Sequence, residues 1–416
     1  MNTALKRALM LPIVVAGLSF SLLHAADWPQ WRGPDRTDIS KETGLLKTWP
    51  ATGPKQLWVF KDAGFGYSGY SVAAGKLFTM GAKEDGEYLI AVDAVKGTQL
   101  WTAKMGSVLR NGWGDGPRGT PTVDGDRVYA LGGDGTLVCV KVADGKEAWR
   151  TTMASLGGKV PGWGYTESVI VDGKNVICTP GGPQGALAAF DKVSGKVAWR
   201  STDFTDGAQY ASIIAINHNG ARQLVQLTMK SLVGIDAATG KTLWKSEWPG
   251  QTAVIPTPIF ADGSVYIASG YGVGCKLVKI GPGNAVSDVY MNKVMKNHHG
   301  GVVLVDGHLY GFSDGSGWVC QNLKTGDEVW AEKGKLGKGA ISYADGMLYL
   351  LEENSGQVVL IEASSKGWSE KGRFKLDPQT LQRNPKGKIW THPVIANGKL
   401  YLRDQELLHC YDVKGK

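Results

Sequence analysis

Glu167 and His392 are the residues whose types and placement most directly suggest chemistry. Each stands six positions before a glycine of a short turn, Gly173 and Gly398, where the equivalent positions elsewhere hold Gly69, Gly119, Thr257, Gly301 and Ala340. Small residues suit a narrow axial channel, so a carboxylate and an imidazole at that place stand out. They can pair with each other as a structural contact, or offer an acid and a base to a ligand, which requires reach to its proton and a tuned pKa. Two positions upstream lie Tyr67, Tyr165, His299 and Trp390, a partial aromatic rim. Trp113, Trp163 and Trp390 offer a stacking platform for a planar or sugar-like ligand, or else pack against the rim. Asp115 and Arg118 in GWGDGPRG read as an ion pair that steadies its loop, or as ligand-binding groups of the funnel mouth. His298 and His299 are adjacent, so on a strand they point to opposite faces and do not make two ligands to one metal. No metal site is assigned.

These residues sit in stretches rich in glycine and aromatics, such as AGFGYSGYS, LRNGWGDGPRGT, PGWGYTES, MKNHHGG and PKGKIWTHP, and what holds those stretches is a repeat. LVCVKVADGKEAWRTTM starts at Leu137, and close copies start at Leu89, Leu187, Leu232 and Gly317. Each alternates apolar and polar residues, turns at a glycine and ends a second run on tryptophan. Period two broken by a glycine turn reads as a β-hairpin with one face buried. A second hairpin is marked by Gly75, Gly125, Gly173, Gly220, Gly263, Gly307, Gly346 and Gly398, each followed within a few residues by an apolar run such as VYAL or LYLL.

Joining the two hairpins gives a unit of strands A, B, C and D, about 45 residues long, which is blade-sized. The expected fold is all-β, an eight-bladed β-propeller of four-stranded antiparallel blades spanning 54–416. Two copies are weak: the one from Leu277 has Tyr290 in place of tryptophan, and the one from Val358 is more degenerate. The last blade lacks strand D, because the chain stops after LLHCYDVKGK. PKQLWVF at 54–60, with Trp58 in register, is expected to complete it and close the ring, which removes exposed sheet edges. The repeat tryptophans Trp58, Trp101, Trp149, Trp199, Trp244 and Trp330 are read as structural. The A–B and C–D links are tight turns on one face, so the D–A and B–C loops share the other, where a funnel mouth would bind ligands.

Residues 1–25 carry Lys6 and Arg7, an apolar run and a small-residue exit, the pattern of a secretory signal. An N-terminal membrane anchor is the alternative, though the run is short for a span. No cysteine follows it, so a lipid anchor is not expected. The protein should act in the periplasm or outside the cell, with no transmembrane segment once the signal is cleaved. Its formal charge of +8 falls to about +6 without Lys6 and Arg7. The basic residues are scattered among acids, which excludes the dense stripe that nucleic acid requires. A leader at 26–53, with Trp28, Trp31, Arg32 and Asp35, is expected to pack on the outside or bottom of a blade, since bare indoles in water are costly. Docking of a partner is the alternative for this segment. A monomer is expected.

The repeat pattern seen in GIDAATGKTLW and AFDKVSGKVAW resembles the pyrroloquinoline-quinone-type repeat of the quinoprotein alcohol dehydrogenase-like superfamily, over nearly all of the chain after Pro54. The leader WPQWRGPDR is similar to the segment before the propeller in secreted members from bacteria such as planctomycetes. The resemblance implies the fold, with the tryptophan and glycine serving packing between blades; it does not fix an activity. In the dehydrogenases of that superfamily it implies PQQ over the funnel, a Ca²⁺ or lanthanide ion on carboxylate and amide oxygens, an aspartate base and often adjacent cysteines. This chain has no adjacent cysteines and no CxxCH for a haem. Cys139, Cys320 and Cys410 fall at equivalent strand C positions and read as small buried residues, while Cys178 and Cys275 show no pattern and no pairing follows. Glu167 and Asn111 are the candidates for an ion site with PQQ. Two readings therefore stand: a non-enzymatic binding or scaffold propeller for a cell-envelope protein or small polar ligand, similar to the propeller lipoprotein of the β-barrel assembly machine, and a PQQ-dependent dehydrogenase oxidising an alcohol or sugar.

Overall fold

Alternating residues bend back at each glycine turn into hairpins, and the hairpins pair into sheets. The computed structural model describes residues 27–415, so the expected signal lies outside the described residues. In the first blade Ser71–Ala73, Lys76–Lys83, Gly86–Asp93 and Gln99–Lys104 are hydrogen-bonded neighbours in chain order. Eight such antiparallel blades recur among the described residues, the last borrowing its outer strand from the N-terminal part and the seventh gaining a short parallel strand at its inner edge, and the only helical pieces there are the short 3-10 turns Ala154–Leu156 and Pro282–Asn284. The molecule is an all-β, eight-bladed propeller.

Closure follows the expected route. Lys55–Phe60 pairs antiparallel with Leu407–Asp412, the third strand of the last blade, with Trp58 opposite Cys410. The seam between last and first blades is also bolted by Arg403, which is fully buried. Its guanidinium donates to the carbonyls of Ser68 at 2.9 Å and Met80 at 2.7 Å and to Thr79 Oγ1 at 2.8 Å. Burial pulls its pKa down to about 10.

Every blade carries a bulge between strands C and D just before the tryptophan position. The extra residue turns the indole toward the neighbouring blade. Trp101 donates to the carbonyl of Val142 at 3.1 Å, Trp149 to Lys192 at 3.2 Å, Trp199 to Ala237 at 3.1 Å and Trp330 to Ser364 at 2.9 Å, each across a blade boundary. The Trp149 ring lies where a Cβ on Gly195 would sit, 2.6 Å away, so that turn must be glycine on steric grounds as well as for its φ of +72°. Tyr290 does the same work, donating to Leu323 at 2.9 Å. Cys139, Cys320 and Cys410 stand directly opposite the tryptophans, which explains why that position is small. All five cysteines are buried and free.

Two boundaries depart from the pattern. Trp244 bonds within its own blade, to Gln223 Oε1 at 2.7 Å, because it faces Gly234 and the next turn is GPGN rather than T/S-G-K. In the seventh blade Gly372 occupies the tryptophan register, and Trp49 of the leader lies against it. Trp49 packs with Tyr349 and Phe374 and so supplies the missing indole from elsewhere in the chain.

The rest of the leader does not lie where the sequence suggested. It enters the ring along the innermost strands: Trp28 bridges Val72 of the first blade, and the Pro29 carbonyl accepts from Val123 of the second. Arg36 then donates to the carbonyls of Ser168 and Val169 before the third blade and to Ile213 before the fourth. Arg32 donates to those of Thr257 and Val302 at the fifth and sixth. Ile39–Ser40 pairs parallel with Tyr343 and Ala344 of the seventh, and Asp38 reaches His392 of the eighth. The leader therefore touches all eight blades from the axis. Trp28 is buried between the first and last blades with Phe60, Tyr70 and Val394, not on an outer surface.

Replacing Trp149 by alanine removes a buried indole and its bond across a boundary, a change that costs about 3–5 kcal/mol for a large aromatic in a core. Guanidinium unfolding of the variant should show a loss of that size. A loss below about 1 kcal/mol would mean that the indole does not fasten the third blade.

Candidate functional site

Above the leader, on the face of the D–A loops, the ring opens into a cavity of about 210 Å³. Trp31 and Arg32 of the leader line it together with Trp113, Trp163, Trp390, Tyr67, Tyr210, Tyr271 and the three histidines His298, His299 and His392. The floor is fixed from below. Trp31 Nε1 donates to Thr257 Oγ1 at 2.9 Å, and the ring packs on His392 with centroids 4.6 Å apart. Arg32 is paired with Asp38 at 2.7 Å, and both are buried. Desolvation lowers the Arg32 pKa, against the pull of Asp38. His392 has Nδ1 3.1 Å from the same Asp38 carboxylate and Nε2 3.1 Å from the His299 carbonyl, so both ring nitrogens face acceptors.

Of the residues singled out from sequence, Tyr67, Trp113, Arg118, Trp163, His299, Trp390 and His392 line the cavity, and Asp115, Tyr165 and Glu167 do not. Glu167 does not pair with His392. Its side chain turns into the blades, accepting from Thr179 N at 2.7 Å and from Thr179 Oγ1 at 3.1 Å. Tyr165 points the same way and donates to the Pro180 carbonyl at 2.9 Å. Asp115 pairs with Arg110 at 2.7 Å and accepts from Asn111 N at 2.8 Å, so it is not the partner of Arg118. Arg118 instead lies over the Tyr67 ring, its Cζ 4.8 Å from the centroid, and donates to the Gly114 carbonyl at 2.8 Å. Its pKa is lowered, chiefly by burial. Asn111 donates to the Gly162 carbonyl and accepts from Trp113 N, which leaves it tied within the loops.

His298 and His299 lie in a loop and not on a strand, which is why both face the cavity, with ring centroids 4.8 Å apart. Lys338 Nζ lies 2.7 Å from His298 Nδ1, and an ammonium only donates, so Nδ1 accepts and Nε2 carries the proton toward the Tyr271 hydroxyl at 2.8 Å. Burial, with His299 and Lys338 beside it, drives the His298 pKa down to about 2. His299 Nε2 lies 2.7 Å from Glu353 Oε2, which also accepts from Trp390 Nε1 at 3.1 Å. Burial pushes the Glu353 pKa up, but the His299 contact and nearby Lys338 outweigh it and the net shift is downward. Burial lowers the His299 pKa. Another buried carboxylate, Glu87, was not singled out from sequence. It accepts from Leu109 N at 3.0 Å and Gly133 N at 2.8 Å and anchors the loop that carries Trp113 and Arg118. Burial raises its pKa to about 7.

Sequence reasoning missed Trp31, Arg32 and Asp38 as site residues because they belong to no repeat. The signal they did leave is the density of charge and indole in WRGPDRTD, too rich for a spacer. Tyr210 and Tyr271 were missed because they fall outside the counted positions; Tyr210 lies edge-on to Trp163 at 5.6 Å.

The family model for outer membrane protein assembly factor BamB, built on the PQQ-type repeat, matches residues 85–332, more than half of the chain. The chain belongs to the BamB family. Solved structures agree on the shape. BamB from Moraxella catarrhalis superposes with a TM-score of 0.61 at 14% identity, over 86% of this chain and 99% of its own. The quinohemoprotein alcohol dehydrogenase of Comamonas testosteroni gives 0.64 at 12% identity, over 94% and 81%. At these identities the likeness is one of fold. Protein Rv3035 of Mycobacterium tuberculosis is 32% identical over 144 residues, 32% of this chain, and the match spans 31% of that protein's length.

The Ca²⁺ that the repeat resemblance implied beside PQQ finds no fitting ligand set in the lining of this cavity. Ca²⁺ takes six to eight oxygens with carboxylates among them, and the lining holds no aspartate or glutamate. Glu167 and Asn111, the candidates from sequence, are engaged elsewhere. Among the described residues no group of three or more His, Cys, Asp or Glu is arranged to hold a metal.

Burial raises the Glu167 pKa from 4.5 to about 7, against the Thr179 bonds and the charge of Arg36. The folded chain thus keeps a proton that the unfolded chain releases near pH 4.5, so this group's contribution to stability falls as pH rises from about 4.5 to about 7 and stays low above. Glu167→Gln keeps an acceptor for Thr179 without the charge. Its thermal midpoint should decline less than that of the parent between pH 5 and pH 8 and lie higher at pH 8. Parallel curves for the two proteins would refute this reading of Glu167.

Proposed function

We propose that this chain is a non-enzymatic binding propeller of the cell envelope, exported by the signal in 1–25, whose funnel cavity recognises a small polar ligand or an exposed group of an envelope protein. One observation carries the reading: the cavity has aromatic walls and a floor built from the chain's own leader, with a lining that has cationic and neutral groups and no carboxylate. Aromatic side chains bury much surface with few rotors, which suits recognition. A hydride-abstracting site would need a base and an ion-binding carboxylate set facing the substrate; here Glu87 and Glu167 accept from backbone amides, while Asp38 and Glu353 stand behind the lining, held by Arg32 and His392 and by His299 and Trp390. Membership of the BamB family supports a role outside the cytoplasm. Among the described residues no helix is long and apolar enough to cross a membrane.

Mixing the purified protein with PQQ and Ca²⁺, then adding short alcohols and sugars with a redox dye, separates the two readings. The expected result is no saturable change in quinone absorbance and no dye reduction. Turnover would overturn the binding-protein reading in favour of a dehydrogenase.

A further inference from the structure

Arg118 is a cation of the cavity wall whose donors its surroundings leave largely unpaired. Among the described residues no carboxylate lies within ion-pairing distance of it, and its Nε is buried without a partner. A guanidinium has five donors in a fixed fork, and here a single carbonyl takes one of them. Stacking on Tyr67 holds the fork still, and Lys386 over Trp113 at 5.9 Å adds positive charge at the rim. A planar, pre-positioned fork in an apolar site matches a carboxylate.

A second group defines the rest of the ligand. His299 donates its Nε2–H to Glu353, which leaves the buried and unpartnered Nδ1 as an acceptor. Thr166, Ser168, Ser212 and Thr391 also line the wall, with the Thr166 and Thr391 hydroxyls donating to the carbonyls of Tyr210 and Arg403 and those of Ser168 and Ser212 accepting from the amides of Thr120 and Ser168. An aromatic acid would satisfy the indoles and Arg118 but bring no donor for His299. A neutral sugar would supply donors but leave the guanidinium unanswered. At about 210 Å³ the space suits one ring.

We propose that the funnel binds a sugar acid, a six-membered uronate ring, with its carboxylate on Arg118, a hydroxyl donating to His299 Nδ1 and a C–H face against the tryptophans. The proposal rests on the binding-protein reading and names its ligand. The ring can arrive as a free uronate or as the terminal residue of an acidic glycan, since both present the same groups.

Titration of tryptophan fluorescence and calorimetry on the full mature chain test it, using sodium glucuronate, sodium galacturonate, digalacturonate, glucose and benzoate. Glucuronate or galacturonate should saturate, with glucose and benzoate weaker by about tenfold or more, the scale of one charge-assisted hydrogen bond. Digalacturonate binding more tightly than the monomer marks a glycan end as the source, and equal or weaker binding marks the free acid. Arg118→Met should lose about tenfold or more in uronate affinity beyond any loss for glucose, and Arg118→Lys should recover part of the difference. The proposal is overturned by equal affinities for glucuronate and glucose, by benzoate binding as tightly as the uronates, by no binding of any uronate at millimolar concentration, or by a folded Arg118→Met that binds uronate normally. If Arg118→Met does not fold, the comparison among the five ligands on the parent protein decides alone. Failure here leaves the quinone assay untouched, and turnover in that assay leaves uronate affinity to stand or fall by itself.

Discussion

A ring of sheets has an unsolved edge at its centre, and the rest of this structure depends on how that edge is satisfied. Each blade's innermost strand turns backbone groups toward the axis, where no further strand can pair with them, and an unpaired buried carbonyl is costly. The leader answers with two arginines whose forks collect carbonyls from four consecutive blades, and with a short parallel pairing on a fifth. Cations buried without water need compensation; Arg32 finds it in Asp38, and Arg36 in carbonyl dipoles and the charge of Glu167, with its pKa brought down by burial to about 9. Three leader residues, Arg32, Arg36 and Asp38, adopt positive φ, a strain that persists because every blade contributes to holding the segment.

Filling the axis also creates the site. Without the leader the funnel would open into a channel; with it, Trp31 and Arg32 become a floor, and the Asp38 carboxylate ties that floor to His392 on the wall. The same segment then leaves along the seventh and eighth blades, lends Trp49 to the boundary where the repeat lacks an indole, and ends as the strand that closes the ring. Closure, axial filling and repair of a weak boundary are thus carried by one continuous stretch, 27–60.

What the sequence made legible followed from periodicity. Hairpins, blade number, the tryptophan register and the closing strand repeat eightfold or complete a repeat, so spacing alone reveals them. Facing was harder to read. Glu167 and His392 share a register position, yet one turns into the blades and the other toward the axis, because a loop before a strand does not obey the strand's alternation. His298 and His299 converge for the same reason. Asp115 chose Arg110 over Arg118 because Arg118 is held on Tyr67, a contact between blades that neighbouring residues in sequence do not show. The leader was least legible, since a segment that occurs once has no period to betray its place.

Residues 27–40 lie inside the ring, bonded to the inner strands. Hydrogen exchange read by mass spectrometry on the intact chain reports on this placement. Peptides from 27–40 should exchange as slowly as those from the strands Lys76–Lys83 and Met347–Glu352, far more slowly than the exposed loop at 379–386. Exchange of 27–40 at the rate of that loop would contradict the account, because the leader would then be neither an axle nor a floor.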